Sequence, residues 1–300
     1  MKFMENTKIN FMKFKSFGFG LSSVLAFGSI ILLLLGVNLG IDFKGGTAIG
    51  VGFAEEVSIQ EVRSSLKSVS VNENLIDLSG EEIKYFGSQS DVMIKIKSLD
   101  NEPENFGQII INHLYASMSE KVPASKNDFI LSLGSVSPKV GSELSGKAFW
   151  SVISALVLIL FYISVRFEFR FALGAILALV HDVVITLGIF SLTGFEITLS
   201  TVAAFLTIVG YSLNDTIVIL DRIRENMKSS GTVMFESTIN KSINQSLSRT
   251  LITSLTTLFV IIVLLLYGGE VIRPFAFTML VGVIVGTYSS IYIALSLIHI

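Results

Sequence analysis

No cysteine occurs among the 300 residues, so nothing in the chain depends on disulfides and no redox compartment can be read from it. Charge is scarce as well. Only 15% of residues are charged, against about 25% in ordinary soluble domains, while 51% are hydrophobic. That balance excludes a simple soluble protein. The formal net charge of −2 and the lack of a basic patch argue against a nucleic-acid partner. Three histidines and no cysteine leave no cluster at metal-ligand spacing, and no phosphate-binding loop or hydrolytic triad is present. No cofactor, metal or enzymatic step is therefore expected, and any use of ATP would belong to a partner. The four prolines all fall outside the long apolar runs.

Those apolar runs are the chain's main content. Crossing about 30 Å of hydrocarbon takes about 20 residues. Suitable runs lie near Phe17 to Val37, Ala148 to Val165, Phe171 to Leu192, Leu199 to Leu220, Leu251 to Tyr267 and Phe275 to Leu297, which makes six expected membrane spans. Lys2, Lys8, Lys13 and Lys15 precede the first run. It is too long for a signal-peptide core, and Val37-Asn38-Leu39-Gly40 offers no small-x-small cleavage site, so it reads as an uncleaved anchor. By the positive-inside rule the N-terminus is cytoplasmic, and an even number of spans returns the C-terminus there. Arg166, Arg170, Arg222, Arg224, Lys228, Lys241 and Arg249 then also fall inside.

The expected organisation is a cytoplasmic N-terminus over 1–16, a first span over 17–39, an outer domain over 40–147 and a bundle over 148–300. A cytoplasmic amphipathic helix is expected at about 221–248, where Phe235, Ile239, Ile243 and Leu247 recur at helical steps. In the outer segment, Ile49, Val51 and Phe53, and again Val92, Ile94 and Ile96, alternate with period two, as half-buried strands do. Ser58-Ile59-Gln60-Glu61 is a capping box opening a helix to about Ser68, and a second helix fits Glu104 to Met118. With strands near Leu75 to Leu78, Ile83 to Gly87 and Phe129 to Val136, the order approaches β-α-β-β-α-β, a small α+β ferredoxin-like domain. His113 reads as a helix-face histidine. Gly40-Ile41-Asp42-Phe43-Lys44-Gly45-Gly46-Thr47 enters this domain and Pro138-Lys139-Val140-Gly141-Ser142-Glu143-Leu144 leaves it. Asp42, Phe43, Gly45, Gly46 and Gly141 are therefore the candidate hinge positions, against the plainer reading of two ordinary membrane-exit turns.

The bundle carries the chemistry. Gly210-Tyr211-Ser212-Leu213-Asn214-Asp215-Thr216 sets a carboxylate inside an apolar run. An acidic group at that depth costs about 2.5–3.5 kcal/mol on insertion scales and marks an ion or proton path by default. At 1.5 Å per residue Asp215 lies about 9 Å from Asp221, near the expected cytoplasmic interface. Arg249 opens the fifth span and is a candidate countercharge, with Thr253 on the polar face beside it. Asp182, after His181 in the third span, is a second intramembrane carboxylate, either a relay partner or a structural group. Tyr211 and Asn214 read as packing and hydrogen-bonding residues, and Gly282 and Gly286 as a close-packing pair.

Together these motifs resemble the SecF family, the smaller membrane subunits of SecD and SecF protein-export complexes within the RND superfamily. The most specific piece is Tyr211-Ser212-Leu213-Asn214-Asp215-Thr216 followed by Asp221-Arg222-Ile223-Arg224-Glu225-Asn226, and the similarity runs from Gly40 to Thr250. The resemblance implies an RND half-unit in the bacterial inner membrane that needs SecD as its other half. It implies use of the proton-motive force to draw a translocating polypeptide outward from the SecYEG channel served by the SecA motor. It also implies Asp215 as the proton-binding carboxylate and Arg249 as its mobile countercharge. Membrane lipid is the remaining expected contact. The alternatives are an RND-type half-transporter for lipids or small molecules, a passive scaffold of the export complex, and an intramembrane aspartyl protease using Asp182 and Asp215. The last is disfavoured because Ser212-Leu213-Asn214 stands where such enzymes carry Gly-x-Gly.

Overall fold

A computed structural model describes residues 7–71, 74–99, 102–167, 169–230 and 235–298. Lys2 and the middle of the expected amphipathic segment, at 231–234, lie outside the described residues, as do the side chains of Arg170 and Glu270. The chain divides into two compact units. One runs from Leu39 to Phe149, and the other holds the residues before it and after it.

In chain order, a 3-10 turn at Phe11–Phe14 leads into α1 (Lys15–Leu34). There follow α2 (Ile41–Lys44), β1 (Gly46–Gly52), α3 (Ile59–Ser65), β2 (Val69–Val71), β3 (Asn74–Ile76), β4 (Glu82–Phe86) and β5 (Ser88–Lys97). Next come α4 (Phe106–Ser117), α5 (Lys126–Phe129), β6 (Ile130–Val136) and α6 (Pro138–Arg166). The chain finishes with α7 (Phe169–Leu192), α8 (Leu199–Ser230), α9 (Phe235–Tyr267) and α10 (Gly269–Ile298).

In the first unit, one sheet has the order β4-β5-β1-β6 with every pairing antiparallel. Two helical crossovers, α3 and α4, produce the order of a split βαβ layer, the expected ferredoxin-like arrangement. Ile49 pairs with Ile94 and Val51 with Val92, so the period-two apolar positions of β1 and β5 face the same side. They bury against Phe106, Ile110 and Leu114 of α4 and Val62 of α3. The Ser58–Glu61 capping box is present, and His113 Nε2 lies 2.8 Å from the Ser65 carbonyl, tying α4 to the end of α3. Lys121 donates to Glu61 at 2.8 Å, which holds that carboxyl below the usual carboxylate range. The strand expected at Leu75 to Leu78 lies elsewhere: β3 pairs only with β2, as a separate hairpin outside the sheet. Its short apolar run carries no partner information, which is why order along the chain misplaced it.

Among the described residues six helices are long and apolar enough to cross a membrane, five of them wholly in the second unit and α6 from Trp150 onward. Of these α7, α8 and α10 form the interior, while α1, α6 and α9 leave most of their apolar surface exposed. Gly282 and Gly286 of α10 face Ile208 and Ser212 of α8, where any larger side chain would collide, so the small pair sets how closely those helices approach.

Three sequence expectations change here. The segment 221–248 is not a separate interfacial helix; its two parts continue α8 and α9 beyond their apolar stretches. Phe235, Ile239, Ile243 and Leu247 keep a single helical phase into the fifth span, so the apolar stripe continues a longer helix. Pro274 lies inside a spanning helix, because α10 starts at Gly269, ahead of the strongly apolar run. The exit strip from Pro138 to Leu144 is helical rather than a glycine-punctuated tether. Ser137 supplies the reason: its carbonyl accepts from Gly141 N at 2.9 Å, and Pro138 occupies the first helical position, where a missing N–H costs nothing.

Candidate functional site

The two intramembrane carboxylates sit on adjacent helices in different surroundings. Asp182 of α7 is fully buried and well supplied with donors. Its Oδ2 accepts from Ser212 Oγ of α8 at 2.5 Å and from Ser289 Oγ of α10 at 2.9 Å, so one oxygen joins the three interior helices. Its Oδ1 lies 2.9 Å from Nδ1 of His181. With Nδ1 facing a carboxylate, the other ring nitrogen is Nε2. That atom is buried with no hydrogen-bond partner.

Asp215 is one helical turn along α8 from Ser212, on the same face. It is 3% exposed. Its Oδ1 has a long contact, 3.5 Å from Asn214 Nδ2, and its Oδ2 has no hydrogen bond within 3.5 Å. Ser254 of α9 flanks the carboxyl, with its hydroxyl 2.8 Å from Thr287 Oγ1 of α10. Arg249 of α9 is exposed, and no ion pair within 4.0 Å joins it to Asp215, although its charge acts on the carboxyl across the gap. A buried acid held away from its countercharge can change partner when its protonation changes, whereas a closed salt bridge resists opening.

Around these acids the interior is short of partners. Thr186 Oγ1, Tyr211 OH and Thr250 Oγ1 are buried without a hydrogen bond, as are His181 Nε2 and Asp215 Oδ2. Buried polar atoms are almost always satisfied by protein or by ordered water, and these five, among the described residues, lie on α7, α8 and α9.

Not every expected residue joins this set. Asn214 is exposed, so within this chain it glues no helices together. Thr253 bonds back to the carbonyls of Arg249 and Thr250 on its own helix. Gly45, Gly46 and Gly141 are placed by close approach. Gly45 has φ +79° and closes α2, its Cβ position lying 2.8 Å from Pro138 Cα. The equivalent position on Gly141 lies 2.8 Å from the Phe43 carbonyl, and Gly46, at φ +138°, faces the Ile96 carbonyl. Phe43 is buried there, and Asp42 stands in the first turn of α2.

Several participants escaped the sequence reading. Ser212 and Ser289 were hidden because serine is ordinary in membrane helices. Only the three-residue step from Ser212 to Asp215 hinted at a shared face. Asn226, buried at the far end of α8, donates to Ser242 Oγ and Gln245 Oε1 of α9, both at 2.8 Å. Asn240 and Asn244 of α9 hold the N-terminal segment by accepting from Met12 N at 3.1 Å and Ile9 N at 3.0 Å.

Residues 117–300 match the family described as protein export membrane protein SecD/SecF, C-terminal, and residues 30–57 match the SecD/SecF GG motif. The protein translocase subunit SecF of Calditerrivibrio nitroreducens is 43% identical, aligned over 98% of this chain and 94% of its own length. That of Rhodobacter capsulatus is 40% identical over 98% and 89%. The crystal structure of SecDF from Thermus thermophilus, described as a translocon-associated membrane protein, superposes with a TM-score of 0.84 at 36% identity. The match covers 100% of this chain and 39% of that longer one. A SecDF structure in a super-membrane-facing form matches with a TM-score of 0.71, also at 36% identity. With the described fold and the matched length agreeing, this multi-pass membrane chain belongs to the SecF family of protein translocase subunits.

Proposed function

We propose that this chain pairs with SecD in the bacterial inner membrane and uses the proton-motive force to promote polypeptide translocation and release at the outer face of the SecYEG channel. The observation that carries this is Asp215, buried inside the bundle with an unpartnered oxygen and an exposed arginine on the next helix. Orientation follows from charge. Lys15 pairs with Glu236, Arg166 with Asp221, and Arg224 reaches the Arg166 carbonyl, so the starts of α1 and α9 and the ends of α6 and α8 gather at one basic end. On the positive-inside rule that end is cytoplasmic. The unit from Leu39 to Phe149 is then the periplasmic domain, and the bundle is a half-unit completed by SecD.

In the proposed cycle a proton reaches Asp215 from the periplasmic side through a hydratable strip along the unpartnered atoms, where Asp182 and His181 act as a relay. Neutral Asp215 no longer attracts Arg249, and α8 and α9 relax against each other. The change reaches the periplasmic domain through α6, whose unbroken helix begins at Pro138. One proton crossing 100 mV supplies about 2.3 kcal/mol, roughly fiftyfold in a two-state equilibrium. That biases a domain movement and is too little to unfold a cargo. SecA, with its ATP, acts on the other side of the channel.

The test compares wild type with Asp215→Asn, each assembled with SecD, for late-stage release of an exported polypeptide with and without a proton gradient. The variant is expected to insert and pair with SecD normally while losing the gradient-dependent part of release. A variant that keeps that part would reduce the chain to a scaffold.

A further inference from the structure

At the basic end of the bundle, three spanning helices terminate around a cavity of about 520 Å³. Val165, Arg166 and Phe167 come from the end of α6, Phe171 from the start of α7, and Arg224, Met227 and Lys228 from the end of α8. Its volume falls within the range of about 300–1,000 Å³ usual for ligand sites. One wall is apolar. Phe167 is buried, and the guanidinium carbons of Arg166 and Arg224 lie 5.3 and 6.0 Å from its ring centroid. Two cations from different helices thus converge on one ring, held by cation–π attraction and by the bond from Arg224 Nη1 to the Arg166 carbonyl at 3.3 Å.

Two carboxylates near the cavity are already engaged. Asp221 pairs with Arg166 at 3.3 Å, and Glu225 turns to Arg222 at 2.7 Å. Among the described residues no carboxylate pairs with Arg224 or Lys228, which lie four apart on one face of α8. Among the described residues the cavity therefore presents two cations without a carboxylate partner above an aromatic and aliphatic floor, where the apolar parts of three helices end.

We propose that this cavity binds the phosphate headgroup of an anionic membrane lipid, with Arg224 and Lys228 on the phosphate and Phe167, Phe171 and Val165 against the start of the acyl chains. Basic pockets between spanning helices have the chemistry for such headgroups, and guanidinium planes match phosphate oxygens in pairs. A lipid is favoured over a free phosphate because most of the lining side chains are apolar, and a bare phosphate gains nothing from them. Bound there, the lipid would bridge α6 to α8, the helix that carries Asp215.

Purified full-length chain can be examined by native mass spectrometry against phosphatidylglycerol, phosphatidylcholine and inorganic phosphate. Wild type is expected to retain phosphatidylglycerol in preference to phosphatidylcholine. Arg224→Gln with Lys228→Gln should weaken that retention about thirtyfold, from about 1 kcal/mol per basic residue. Arg222→Gln, on the same helix but outside the cavity, should retain it. A thermal melt of each variant distinguishes lost binding from lost fold, and Lys228→Gln alone, at an exposed position, should still show a partial loss. Equal weakening by Arg222→Gln would reduce the effect to general surface charge and overturn the site. So would unchanged retention in the double variant. Displacement of the lipid by millimolar inorganic phosphate would overturn the lipid assignment in favour of a free anion.

Discussion

The two units of this chain treat buried polarity in opposite ways. In the α+β unit, polar groups that go inside are answered. Thr47 is fully buried and bonds Glu102 at 2.8 Å and Ser135 at 3.1 Å, and His113 meets the Ser65 carbonyl. Glu82 Oε1 pairs with Lys84 Nζ at 2.6 Å. In the bundle, five buried atoms from His181, Thr186, Tyr211, Asp215 and Thr250 have no partner. Leaving a buried polar group unmade costs about 1–3 kcal/mol, so a strip of them is not a stability device. The first unit bonds its buried polar groups, whereas the second leaves several without a protein partner, as the proposed proton path requires.

The sharpest test of the first half of that comparison is Gly46→Val. The substitution puts a β-branched side chain at φ +138° against the Ile96 carbonyl, in the strand at the middle of the sheet. Strain and overpacking together should cost about 2–6 kcal/mol, enough to unfold the unit or leave it open to protease. Gly210→Ala, where added atoms meet nothing within 4 Å, should leave the bundle's thermal stability unchanged or slightly raised. If Gly46→Val melts like wild type, the joint where β1 begins is looser than its geometry indicates.

Asp182→Asn should have the next largest effect, and it falls on the bundle alone. The amide keeps one acceptor but turns an NH2 group either on Ser212 and Ser289 or on His181 Nδ1. It disturbs the bonds that tie α7 to α8 and α10, at about 1–3 kcal/mol. A lowered melting temperature with gradient-driven release intact would make Asp182 a structural knot. Lost release at an unchanged melting temperature would make it part of the proton path.

How much of this was legible beforehand depends on what sets each feature. The six spans and the ferredoxin-like layer follow from hydrophobic period and length, which are local properties. Asp215 stood out because a carboxylate in an apolar run is costly wherever the helix packs. Pro138 to Leu144 was misread because its glycine suggested freedom, whereas Ser137 and Pro138 are a helix start. The partners of Asp182 were invisible for a different reason. Ser212 and Ser289 lie 77 residues apart, and only the packing of α10 on α8, set by Gly282 and Gly286, brings both to one oxygen.

The smallest effect is the most discriminating, because it asks whether the unpartnered atoms are dry. Thr47→Val in the α+β unit removes a hydroxyl with two acceptors nearby and should cost about 0.5–3 kcal/mol, the range between a neutral and a charge-assisted bond. Thr250→Val in the bundle removes a hydroxyl with none. Were that site dry, the valine would relieve a desolvated dipole and stabilise the bundle by up to about 1 kcal/mol. Were it occupied by water bound to Thr250 and Asp215, the valine would instead destabilise, and gradient-driven release would slow as the wire lost a link. The second result is expected on the proposed function, since the carboxyl of Asp215 is one of the unpartnered groups and that proposal has it receive a proton. Equal and opposite shifts for the two threonines would show a dry bundle and move the path to another face of α8.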